Sequence, residues 1–324
     1  MATKLNVTDI SGWIPYSLRD EEGQLLCYWL DSSGTSFTEP FFDETIRKLR
    51  TTGTRHKFRS ASSIESMSER AENLNHVLPA AFIFHISRCG STLVSQMLAT
   101  SPVNISLAEV PFFDDILRLR FKRPDFEEAA INELLKASLK YYSYNIKPNG
   151  DARRLFIKAD SWHIFFYEQL RRIFPETPFI LMYRSPDEVF RSHRKEAGMH
   201  AVPGLIEPEL FGFDESVVEE PAETYLANVL AAYLDKYLEI SQSDNNCMLL
   251  NYNEGPAEMI DRIASFAKIN FSENELTAMD ERSQRHSKRP GEQFNEPRAT
   301  GYPDCLQTAM ELYQALNAKR FAIQ

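Results

Sequence analysis

A three-layer α/β fold with a mainly parallel central sheet is what the sequence predicts, on three observations. From Leu78 onward, short apolar runs alternate with longer amphipathic segments, the rhythm of strand and crossover-helix units. Each apolar run is continuous, as strands covered on both faces are. Several amphipathic segments open on good helix starts, such as Pro186 after Ser185 and Pro221 ahead of "AETYLANVLAAYLDKYL".

In chain order the predicted strands are "AAFIFHIS" from Ala80, "NISLAE" from Asn104, "RLFIKAD" from Arg154, "PFILMYR" from Pro178 and "CMLLNYN" from Cys247. Between them the spacing predicts helices over Ser91 to Thr100, Phe126 to Tyr142, Trp162 to Phe174, Pro186 to Lys195 and Pro221 to Ile240. Residues 1–75 read as an N-terminal elaboration ahead of the α/β domain, 76–324. It carries fragments such as "GQLLCYWLDSSG" and ends in a polar tract, "TRHKFRSASSIESMSERAENLN", read as a flexible joint. The segments Gly198 to Glu220 and Ser283 to Gly301 are long enough to be ligand loops.

The chain has 324 residues, 43% hydrophobic and 25% charged, enough to bury a large core. Its net charge of −10 argues against a nonspecific binder of nucleic acid or anionic membranes. An anionic ligand therefore has to meet a local cluster of positive charge. Cys27, Cys89, Cys247 and Cys305 are far apart and show no zinc-ligand spacing, so a reducing cytoplasm and no bound metal are expected. The polar N-terminus and the shortness of every apolar run predict no membrane span.

Positive charge meets glycine in "FIFHISRCGSTLVSQMLATSP", residues 82–102. A buried strand turns through "SRCGST" into a helix whose first-turn N–H groups have no intrahelical partner, a ready anion site that Gly90 lets a ligand approach. Arg88 adds charge, and Ser91 and Thr92 add hydroxyl donors. The alternative is an ordinary cap with a solvated arginine. The motif is not a nucleotide-triphosphate loop: His85 stands where that loop's first glycine belongs, and no lysine follows Gly90. A smaller anion suits it, such as a 5′-phosphate carrying a sulfuryl group. "PFILMYRSPDEVFRSHRK" repeats the form, with Arg184 at a strand's carboxyl end and Ser192 two turns into the next helix. Two such sites imply a ligand with two separated anionic groups.

With "SRCGSTL" and "YRSPDEVFRS" in that order, the chain resembles the P-loop sulfotransferases, which use 3′-phosphoadenosine 5′-phosphosulfate (PAPS). The resemblance covers roughly Leu78 to Gly291. Arg88 stands where cytosolic members usually have lysine, which looks more like the Arg-type loop of tyrosylprotein and many bacterial sulfotransferases. The resemblance implies a P-loop sulfotransferase-like fold. It also implies a 5′-phosphosulfate loop of Arg88, Cys89, Gly90, Ser91 and Thr92, and a 3′-phosphate site at Arg184 and Ser192. The product is adenosine 3′,5′-bisphosphate. Glu109, nineteen residues after Gly90 in "SLAEVPFFDD", matches the family's glutamate, a candidate base whose pKa a nearby anion and shielding from water would raise; the alternative is a structural carboxylate. Lys158 matches a lysine near the sulfuryl group, where with Arg88 it offsets charge on the leaving phosphate. The late basic stretch "RSQRHSKRPG" offers Ser287, Lys288 and Arg289 to the 3′-phosphate.

The expected activity is transfer of a sulfuryl group from PAPS to a hydroxyl or amine acceptor of open class. Alternatives are a nucleotide-dependent kinase, against which the absent Gly-Lys pair speaks, and a catalytically silent member that binds nucleotide or a partner. His85 reads as a buried, hydrogen-bonded core residue.

Overall fold

The computed structural model describes residues 12–32, 39–52, 60–145, 153–285 and 301–323. Every predicted strand forms. They are β4 (Pro79–His85), β5 (Asn104–Ala108), β6 (Arg154–Lys158), β7 (Phe179–Tyr183) and β8 (Cys247–Asn251), preceded by β1 (Trp13–Glu21), β2 (Gln24–Asp31) and β3 (Ser60–Ser63). The later five build one sheet in the order β5-β6-β4-β7-β8, flanked by helices, which is the predicted α/β architecture. Every residue of β7 is buried, as its unbroken apolar run requires.

Two compact units divide the chain, one drawn from Met1–Leu78 and Pro102–Leu155, the other from Pro79–Ser101 and Phe156–Gln324. In the first, β1-β2-β3 form an antiparallel sheet. The β1–β2 turn places Glu22 (φ 54°) and Gly23 (φ 86°) both in the left-handed region, the hairpin geometry whose twist matches its strands. The serine-rich tract read as a flexible joint is, in its described part, β3 followed by a helix, Ile64–Ala71. Its serines do structural work: Ser63 Oγ accepts from the Ser66 N–H at 3.3 Å and caps that helix.

In the second unit, β4, β7 and β8 run parallel, with His85 opposite Met182 and Met182 opposite Leu250. That register brings the carboxyl ends of β4 and β7 side by side. The strand order makes this a switch point, because the chain leaves β4 toward one side of the sheet and β7 toward the other. Crevices that hold ligands in open α/β sheets open at such points. The predicted helix from Trp162 starts instead as a 3₁₀ segment, Ser161–Phe166, and becomes α-helical over Tyr167–Ile173. An Asp160–His163 capping box opens that 3₁₀ turn. Among the described residues no helix is long and apolar enough to cross a membrane.

Candidate active site

The turn after β4 is where the backbone departs most from ordinary geometry. Ser87 (φ 66°), Arg88 (φ 49°) and Gly90 (φ 81°) are left-handed, with Cys89 between them not so. A turn that mixes left- and right-handed residues is the kind of backbone in which N–H groups can converge on an anion. Left-handed serine and arginine each cost of the order of 1 kcal/mol and cluster at functional sites. Gly90 is then the N-cap of the helix Ser91–Ala99 and offers no side-chain cap bond. The first-turn N–H groups are thus not closed off by a capping side chain, which favours an anion site over the ordinary-cap alternative. Ser91 and Thr92 are buried in this first turn.

Gly90 is required for a second reason. A Cβ built there would lie 2.5 Å from Cδ2 and 2.7 Å from Cε2 of Tyr252, whose ring covers the turn. The Arg184 guanidinium stacks on the same ring, 4.5 Å from its centroid. Arg184 also donates from Nε to Glu188 Oε2 at 2.9 Å and from Nη1 to the Arg88 carbonyl at 3.4 Å. One aromatic side chain therefore joins the two stretches singled out in the sequence. Ser192, half-buried, follows one turn after Glu188 on the helix Pro186–Lys195.

Lys158, the last residue of β6, is only 1% exposed, where sequence alone allowed a solvated edge charge. Burial pushes the Cys89 thiol up to about 11, opposed by bonds from the backbone at Ile86 and Ser91 and by the charges of Lys158 and Arg184. Both cations thus act on the centre of the turn. Arg88 points elsewhere. Its Nη2 donates to the Glu196 carbonyl at 2.5 Å and its Nη1 lies 3.4 Å from Glu196 Oε2, beyond the end of the Pro186–Lys195 helix.

Glu109 belongs to the other unit. It follows β5, is half-buried and is itself left-handed (φ 53°). The next helix, Pro111–Leu117, takes Val110 rather than Glu109 as its N-cap. Ser287, Lys288 and Arg289 lie outside the described residues. Tyr252, Glu188 and Glu196 were not anticipated. For Tyr252 a signal existed: an aromatic residue directly beyond a buried strand, at the edge where α/β folds bind ligands.

Solved structures similar to this chain include sulfotransferase STF9 from Mycobacterium avium, at 14% identity over 80% of each chain with a TM-score of 0.47. STF1 from Mycobacterium tuberculosis H37Rv is 10% identical over 67% of this chain and 75% of its own, TM-score 0.43. A sulfotransferase from Alicyclobacillus acidocaldarius is 16% identical over 76% and 96%, TM-score 0.42. A comparison with curated proteins finds no sequence match. The sequence pattern described as "Sulfotransferase family" matches residues 79–273, more than half of the chain and the stretch that holds the left-handed turn, Lys158, Arg184 and Tyr252, and the chain therefore belongs to the sulfotransferase family.

Proposed function

We propose that the chain transfers a sulfuryl group from PAPS to a hydroxyl or amine acceptor by in-line displacement. The observation that carries this reading is the convergence of the left-handed turn after β4, the helix N-terminus without a side-chain cap and two buried cations, Lys158 and Arg184, at the ends of the two strands that flank β4. This donor set fits a nucleotide with two separated anionic groups, held without a triphosphate loop. When bound, the donor supplies a sulfuryl group activated on a bridging phosphate oxygen.

The turn's N–H groups and the Ser91 and Thr92 hydroxyls hold the 5′-phosphosulfate. Lys158 neutralises charge developing on the leaving oxygen, the kind of electrostatic assistance that dominates such transfers. Arg184 and Ser192 hold the 3′-phosphate. Arg88 lies 3.4 Å from a Glu196 carboxylate that is 70% exposed, a long and solvent-screened pairing; an anion in the turn can compete for this guanidinium, giving up its bond to the Glu196 carbonyl. Glu109 takes the acceptor's proton as the new S–O bond forms and the bridging O–S bond breaks. The four free thiols fit a reducing, cytoplasmic setting.

A thermal-shift titration tests the donor. Adenosine 3′,5′-bisphosphate at a hundredfold excess over its Kd should stabilise the protein by about 2.7 kcal/mol. Stabilisation by Mg·ATP but not by the bisphosphate would overturn the reading in favour of a kinase.

A further inference from the structure

His85 ends β4, is buried and has no part in the chemistry above. Its ring nitrogens meet two backbone groups whose roles are fixed by chemistry. The Ser87 N–H can only donate, and it lies 3.0 Å from Nδ1; the Ala159 carbonyl can only accept, and it lies 3.0 Å from Nε2. Nδ1 is therefore bare and Nε2 carries the proton. The ring is neutral and held in one tautomer.

Both bonds end on parts of the donor site. Ser87 is the first left-handed residue of the turn, directly before Arg88, and strained conformations of this kind persist only where neighbours over-determine them. Ala159 directly follows Lys158, and its own N–H donates to the Ile83 carbonyl at 3.0 Å. β4 thus grips the step after Lys158 twice, once through its backbone and once through His85.

We propose that His85 is a positioning residue of the donor site: its neutral Nε2–H ring locks the left-handed turn at Ser87 and the strand end carrying Lys158 into one register. The inference rests on the PAPS reading. It goes beyond core packing in where the two bonds end, one on the first left-handed residue of the turn and the other on the residue that follows Lys158.

Two near-isosteric variants separate the bonds. In His85→Asn the amide oxygen can take the place of Nδ1 and keep Ser87, while losing Ala159. In His85→Gln the amide N–H can take the place of Nε2 and keep Ala159, while leaving the Ser87 N–H without its acceptor. By titration calorimetry, adenosine 3′,5′-bisphosphate should bind His85→Gln about tenfold or more weakly and His85→Asn, which releases only the strand end carrying Lys158, about three- to tenfold more weakly than wild type. The two ligand-free proteins should melt at similar temperatures. Equal losses of affinity that track the melting temperatures, or two variants that both bind like wild type, would sink the positioning role while leaving the donor reading intact. A wild-type protein indifferent to the bisphosphate overturns the donor reading and the donor-site role together. Independently of any nucleotide, long-range ¹H–¹⁵N spectra should show the Nε2–H tautomer at His85; an Nδ1–H or doubly protonated ring refutes the proposal.

Discussion

At Gly90 two independent constraints meet, a φ of 81° and a tyrosine ring within 2.7 Å of the missing Cβ. Gly90→Ala should cost about 1–3 kcal/mol in chemical denaturation and abolish the thermal shift given by the bisphosphate. A variant that melts and binds like wild type would mean that the turn relaxes easily and is not a rigid cradle. Arg184→Ala should weaken the bisphosphate at least tenfold more than a nucleotide lacking the 3′-phosphate; equal losses would remove it from that site. Glu109→Gln should lower the transfer rate by 10²–10⁴-fold with donor affinity unchanged, the size of a lost general base. An unaltered rate across an acceptor panel would place the base elsewhere. Of these residues, Gly90 and Arg184 stood out from the strand-to-helix pattern alone, and Glu109 only through the resemblance to the family. Tyr252 was not, because nothing local in "NYNEGP" says which glycine its ring will cover.

The turn after β8 is held by a polar network with the C-terminal helix Gln307–Ile323. Asn251 Nδ2 donates to Asn317 Oδ1 at 2.9 Å, and the Tyr183 hydroxyl donates to the same oxygen at 3.0 Å. Glu254 accepts from Arg320 Nη1 at 2.7 Å and from Arg262 Nη1, all three side chains being largely buried. Tyr252 sits between Asn251 and Glu254, so this network sets where its ring lies. Glu254→Ala leaves two guanidinium groups without their counter-charge and should cost about 3–5 kcal/mol in denaturant unfolding. It should also weaken the bisphosphate, which Glu254 does not touch in the proposed site. A loss under about 1 kcal/mol would show that water replaces the carboxylate. The strands were readable at this scale because unbroken apolar runs mark buried parallel strands. The serine-rich tract misled because low hydrophobicity was read as looseness, while the same serines cap a helix and pair an edge strand.

Burial raises the Cys89 thiol from its ordinary 9.0 to about 11 and the Cys247 thiol to about 12. The folded chain keeps these protons over a range where the unfolded chain has lost them. Their stabilisation is therefore whole below pH 9 and is lost as pH rises through the folded values, at about 1.4 kcal/mol per pH unit for each thiol. The melting temperature should hold up to pH 9, fall between pH 9 and 11, and fall less in a Cys89→Ser, Cys247→Ala double variant. A flat profile to pH 11 would contradict the burial of these thiols. The same molecule carries a net charge of −10, so in the proposed site an anionic donor has to rely on local positive charge such as that of Lys158 and Arg184. Composition and the period of its apolar runs sufficed to determine the fold class, and the resemblance carried by "SRCGSTL" and "YRSPDEVFRS" pointed to the family. Folding alone decided that Tyr252 covers Gly90, that Arg88 turns to Glu196 and that His85 ties Ser87 to Ala159. Each of these joins residues far apart in the chain or depends on a backbone hand that local pattern does not encode: periodicity reports burial, but not which distant groups the register of parallel strands will bring together.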